Sequence, residues 1–155
     1  MSNKHYLGIL FLAVVLGMSL RMGQVTAQTM DDQTVDRGRY LVIIAGCNDC
    51  HTPRYLVSGG ETPEELWLTG DASGWPGPWG ITYGTNLRIL VQDLTEEQWV
   101  TFAQNLKTRP PMPWFNLNQM KHEDLRAIYQ YIRQMGPVGN PAPSYVPPGE
   151  EPESP

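Results

Sequence analysis

Both cysteines of this 155-residue chain lie in one five-residue string, CNDCH, from Cys47 to His51. Two thiols three positions apart, with an imidazole directly behind the second, suit three chemistries: a redox dithiol, part of a metal site, or covalent attachment of a haem. Each needs a different structural context, so the surrounding sequence decides among them.

The two ends do not read as part of a folded core. Lys4 and His5 precede the uncharged stretch LGILFLAVVLGMSL, Leu7–Leu20, and RMGQVTA comes after it, with Val25 and Ala27 at the −3 and −1 positions of a cut before Gln28. This is the layout of a secretory signal peptide over residues 1–27. The apolar stretch is shorter than the ~18 residues of a spanning helix. Arg21 in the cleavage region leaves an uncleaved anchor as the alternative, and either reading exports the domain, to the periplasm or its equivalent. The formal charge is −5, and cleavage removes Lys4 and Arg21 but no acid, taking it to −7. An acidic balance without a basic run excludes nucleic-acid binding. At the other end, PVGNPAPSYVPPGEEPESP holds half of the chain's 14 prolines and three glutamates. It lacks apolar periodicity and backbone donors, which predicts a disordered acidic tail over residues 138–155. The folded domain is then expected over residues 31–137.

Three segments of that domain have helical spacing. VDRGRYLVIIAGC, Val35–Cys47, runs into the CNDCH string with a dense apolar end. TEEQWVTFAQNLKTR opens on a capping box, Thr95 with Gln98, and sets Trp99, Phe102 and Leu106 on one face. KHEDLRAIYQYIRQMG carries Leu125, Ile128, Tyr129, Ile132 and Met135 on one stripe and stops at Gly136 and Pro137. Between the first two lies GDASGWPGPWGITYGTNL, in which glycine and proline interrupt any strand alternation. The expectation is a small all-α domain with long Gly/Pro-rich loops. Loops of that length in a small domain usually wrap something, and Trp75, Trp79 and Tyr83 need a surface on which to bury themselves.

A thioredoxin-like dithiol opens a helix beside parallel strands; here the motif ends a helix and no such strands flank it. A zinc site wants four ligands. Cys47, Cys50, His51 and His122 could supply them on paper, but adjacent Cys50 and His51 suit one tetrahedral ion poorly. In C-x-x-C-H, two thiols add to the two vinyl groups along one porphyrin edge and the next imidazole falls under the iron. That attachment happens outside the cytoplasm, in agreement with the export signal. One covalent haem c is expected, held by Cys47 and Cys50, with His51 as an axial ligand.

For the other axial position the exported chain offers Met30, Met112, Met120, Met135 and His122. Met135 belongs to the apolar stripe of the last helix and Met30 to the N-terminal end. Met112, in RPPMPWF, is braced by Pro110, Pro111 and Pro113, which stiffen the segment. It is the favoured ligand, consistent with His/Met ligation in cytochromes c.

GRYLVIIAGCNDCHTP followed by PPMPWFNLNQMKHEDLRAIYQYI resembles a bacterial mono-haem cytochrome c of the class I type, over roughly Val35 to Val138. The resemblance implies a helical domain wrapped around the haem, with thioethers at Cys47 and Cys50 and iron ligands His51 and Met112. It implies that Gly38 lets the last helix cross closely, near Tyr129. Asn86, in TNL, falls where the family often has an asparagine and is a candidate haem contact, as are Trp79 and Arg54, the latter as a partner for a haem propionate. Two positions depart from the family pattern. Gly38 stands nine residues before Cys47, one more than usual, which predicts a bulge near Gly46. Lys121 replaces the usual capping Thr or Ser, so the last helix should start differently or fray.

The expected function is that of an exported electron carrier, not an enzyme, passing single electrons between a redox protein donor and an acceptor such as a dehydrogenase, an oxidase or another respiratory complex. Membrane contact would come only through an uncleaved anchor or a membrane-bound partner. The alternative is a gas-binding or sensing haem protein whose sixth ligand is absent or displaceable. A peroxidase would need distal acid–base groups, for which only His122 is left.

Overall fold

The structure, a computed structural model, describes residues 32–152. The signal-peptide segment and Met30 lie outside the described residues. The larger of two compact units, Val35–Pro155, carries the cysteine motif and the methionine segment. Among the described residues no helix is long and apolar enough to cross a membrane.

Helix α1 covers 32–44. It closes with Gly46 N–H donating to Ile43 O at 3.1 Å, and Gly46 then takes φ 69°, a left-handed conformation that glycine adopts without steric cost. A separate short helix, α2 (Cys47–His51), carries the cysteine motif. The chain thus breaks at Gly46, where the sequence predicted a bulge, and the motif opens a helix of its own instead of ending the first one. Two further short helices, α3 (Leu87–Leu90) and α5 (Trp114–Asn118), flank α4 (Glu96–Asn105). Both arms of the Thr95–Gln98 capping box are present on α4. Helix α6 (His122–Met135) starts directly after Lys121, whose side chain makes no cap. Glu123 and Asp124 in its first turn complement the helix dipole instead, and Asp124 also pairs with Arg37 at 2.5 Å.

The core forms where α6 packs on α4 and α3. Leu125, Ile128, Tyr129 and Ile132 of α6 are buried, together with Val42, Leu68, Val91, Trp99 and Ala103. The Trp99 indole donates to Leu125 O at 2.8 Å, so a large core side chain also ties α4 to α6. A Cβ on Gly38 would overlap the Ala127 carbonyl and crowd Tyr131 Cβ. The close crossing of α1 and α6 is therefore centred on Ala127 and Tyr131, on either side of Tyr129. At the far end of α6, buried Arg88 donates to the carbonyls of Met135, Gly136 and Glu65. A guanidinium there satisfies orphan carbonyls and complements the negative end of the dipole.

Two sequence expectations are corrected. The domain is not all-α: the Gly/Pro-rich segment forms an antiparallel hairpin, β1 (Asp71–Gly77) with β2 (Gly80–Gly84). Its alternation is hidden by a bulge, since Asp71 pairs Gly84 but Trp75 pairs Thr82, an advance of four residues on one strand against two on the other. Nor is the whole tail disordered. Val146 exchanges both backbone hydrogen bonds with Ile81, at 2.8 and 3.0 Å, Tyr145 OH donates to Trp79 O at 2.8 Å, and Asn86 Nδ2 reaches the carbonyls of Val138 and Asn140.

Candidate cofactor site

Helix α2 presents His51 through a web of buried polar contacts. Thr52 Oγ1 donates to Asn48 Oδ1 at 2.7 Å and accepts from Leu68 N–H at 2.8 Å, while Gly70 N–H donates to His51 O at 2.7 Å. Asn48 and Thr52 are completely buried. Strand β2 runs directly against this helix, because a Cβ on Gly84 would overlap the Cys50 carbonyl. That approach places Thr85 O 2.7 Å from His51 Nδ1. A carbonyl only accepts, so Nδ1 holds the proton and Nε2 keeps its lone pair. Burial lowers the basicity of the imidazole, and the bond to Thr85 partly opposes this; the ring is neutral at pH 7. A metal-ligating histidine is typically prepared by such a second hydrogen bond.

His51 lines a cavity of about 620 Å³, within the ~300–1,000 Å³ usual for sites of sizeable organic ligands. Cys47, Cys50, Met112 and Met120 share its walls. So do Trp99, Phe102 and Leu106, the stripe on α4. Trp99 is buried in the core and Phe102 is 37% exposed, so the stripe borders both the core and the cavity. Ile128 and Ile132 of α6 complete the apolar side, and Trp75 and Tyr83 of the hairpin face the same space. Met112 is held by its surroundings: Trp114 N–H donates to Met112 O at 2.9 Å and Thr82 Oγ1 donates to Pro110 O at 2.8 Å.

The two thiols are not joined in a disulfide. Burial, and then the charge of Asp49, pushes the Cys47 thiol up to about 12, and Cys50 is raised for the same reasons. A dithiol oxidoreductase needs the opposite, an attacking cysteine lowered toward neutrality. His122 is exposed on the first turn of α6 and does not line the cavity, and no cluster of three or more metal-binding side chains occurs among the described residues. The four-ligand zinc arrangement is not assembled.

Three of the expected contacts are not brought to the cavity. Arg54 lies in a loop at φ 60°, away from the cavity walls. Trp79 sits at the hairpin turn, its ring against Gly77, also outside those walls. Asn86 is 2% exposed and structural: its Oδ1 accepts from Ile89 N–H to cap α3, while its Nδ2 ties down the tail. In their place Trp75, Arg109 and Tyr145 line the cavity. The first was legible as an aromatic in need of a surface. Arg109 adjoins the proline-braced methionine segment, and Tyr145 is a lone aromatic in a proline-rich stretch, but neither spacing revealed that they meet. Comparison of the chain with protein-family models, curated proteins and solved structures gives no match.

Proposed function

We propose that the chain is an exported electron carrier of the mono-haem cytochrome c kind, with haem c bound through thioethers at Cys47 and Cys50 and its iron ligated by His51 and Met112. One observation carries this reading. A largely apolar cavity has on its walls two thiols, a neutral imidazole whose Nδ1 proton is committed to a backbone carbonyl, and thioether sulfurs. That donor set fits a covalently attached iron porphyrin and suits neither a dithiol nor a tetrahedral zinc ion.

When bound, the group supplies a one-electron couple whose potential is raised by His/Met ligation. The work of this chain's own residues is to hold that centre still. Thr85, Gly70 and the Asn48–Thr52 pair fix His51 from behind. The prolines around Met112 leave it few backbone conformations. The apolar side chains of α4 and α6 keep water from the centre, so little rearranges as charge changes. With both ligands retained, the acidic surface meets partners through small transient contacts, best served by a basic docking patch.

The test is an absorption spectrum of the purified oxidised protein. A weak far-red sulfur-to-iron band that disappears in Met112→Ala is expected. Rapid carbon monoxide binding by the reduced wild-type protein at neutral pH would instead favour a gas-binding role. Export is checked by N-terminal sequencing, with a mature start at Gln28 expected.

A further inference from the structure

We propose that Tyr145 and the segment around it form a strap that positions the Met112 loop against the cavity, with Arg109 as the buckle. The inference rests on the reading of Met112 as the sixth ligand.

The loop before α5 has little backbone with which to hold itself. Pro110, Pro111 and Pro113 have no N–H donors, so a hydrogen-bonded ladder cannot fasten it. Side chains do so: Asn118 Nδ2 donates to Leu106 O at the start of the segment, and two tethers reach it from other parts of the fold. Thr82 Oγ1 donates to Pro110 O at 2.8 Å, fastening the loop to the hairpin. The second tether comes from the tail: the Arg109 guanidinium lies 3.6 Å from the centroid of the Tyr145 ring. Arg109 is three residues from Met112, and Arg109, Met112 and Tyr145 all line the same cavity.

The strap has its own anchors. Tyr145 OH donates to Trp79 O at 2.8 Å, and the neighbouring Val146 makes two backbone bonds to Ile81. Gly80 permits this closeness, because a Cβ there would overlap the Val146 carbonyl. Further back, Asn86 holds the carbonyls of Val138 and Asn140. Hairpin, tail and methionine loop thus form a closed triangle, and Tyr145 is the side chain through which the tail grips the loop. Without it the loop loses its tie to the tail, and Met112 leaves its position more often.

The experiment uses full-length protein carrying Tyr145→Ala or Tyr145→Phe, each checked for a wild-type circular dichroism spectrum. The phenylalanine variant keeps the ring beneath Arg109 and loses only the hydroxyl bond to Trp79, while the two Val146–Ile81 bonds still anchor the strap. Trypsin reads loop tethering without reference to the cofactor, by cleavage after Lys107; the Arg109–Pro110 bond resists the enzyme. Loss of the cation–π contact should accelerate that cleavage about tenfold in Tyr145→Ala, with Tyr145→Phe within about twofold of wild type. The haem-loaded Tyr145→Ala protein should also lose far-red band intensity and bind carbon monoxide when reduced, and Tyr145→Phe should restore both properties. Wild-type cleavage rates in Tyr145→Ala would overturn the strap. A loosened loop with an unchanged band and no carbon monoxide binding would overturn its positioning role. A wild-type protein without haem would refute the underlying function, while the trypsin comparison would still decide whether Tyr145 holds the loop.

Discussion

The Thr85 carbonyl selects one tautomer of His51, and the backbone that delivers it depends on buried side chains two steps away. Thr52 offers the sharpest test, because its hydroxyl both donates to Asn48 and accepts from Leu68 N–H in a fully buried setting. Thr52→Val keeps the shape and orphans that N–H, which should cost about 1–3 kcal/mol in urea denaturation. A loss near zero would mean that the web is incidental. At this scale the sequence places its main candidates through local spacing. Cys47, Cys50 and His51 are fixed by one helical turn, and Met112 by the prolines beside it, and all four meet at one cavity. Arg54, Trp79 and Asn86 lie outside the cavity lining, and their directions depend on loop paths that no local rule specifies. Arg88, which caps α6 from a distant helix, left no local signal at all.

Among the elements, Gly38 separates two opposed expectations. Helix propensity alone favours Gly38→Ala by up to about 1 kcal/mol. The new Cβ, however, would overlap the backbone carbonyl of Ala127, which cannot rotate aside like a side chain. Overpacking should win, with Gly38→Ala destabilising the protein by about 1–3 kcal/mol in chemical denaturation; a stabilised variant would mean that α1 and α6 are not closely crossed. A second prediction concerns the far end of α6. Arg88→Leu removes three hydrogen bonds to carbonyls, two of them at the helix terminus. It should lower the urea midpoint and speed amide exchange in the last turn of α6, and unchanged exchange there would contradict a capping role. The three longer helices were legible because capping and apolar periodicity are local properties, although the first ends at 44 and the short α2, α3 and α5 gave no such signal. The hairpin was not, because its bulge and its glycines and prolines break the alternation by which strands are read. The tail was misread for a related reason: a proline-rich segment without apolar periodicity still docks when a few residues, here Tyr145 and Val146, find partners far away in sequence.

For the molecule as a whole, acid should be destabilising in a defined window. Arg39 holds the Glu64 carboxylate below its usual 4.5, and buried Tyr131 adds a hydrogen bond at 2.8 Å. A carboxylate lowered in the folded state contributes stability that is present above the unfolded value and lost as pH falls through the folded one. The urea midpoint should therefore decline as pH drops below about 4.5, and Glu64→Gln should flatten part of that decline; an unaltered slope would exclude this network as a source. Beyond stability, the shape of the cavity, its neutral imidazole and its two thiols all bear on one question, whether a porphyrin is covalently part of this protein. Intact mass of the exported protein, with alkylation under denaturing conditions, answers it most directly. Expected is a coloured protein one haem heavier than its polypeptide, with both Cys47 and Cys50 resistant to alkylation; a colourless protein of bare polypeptide mass, alkylated at both thiols, would contradict it.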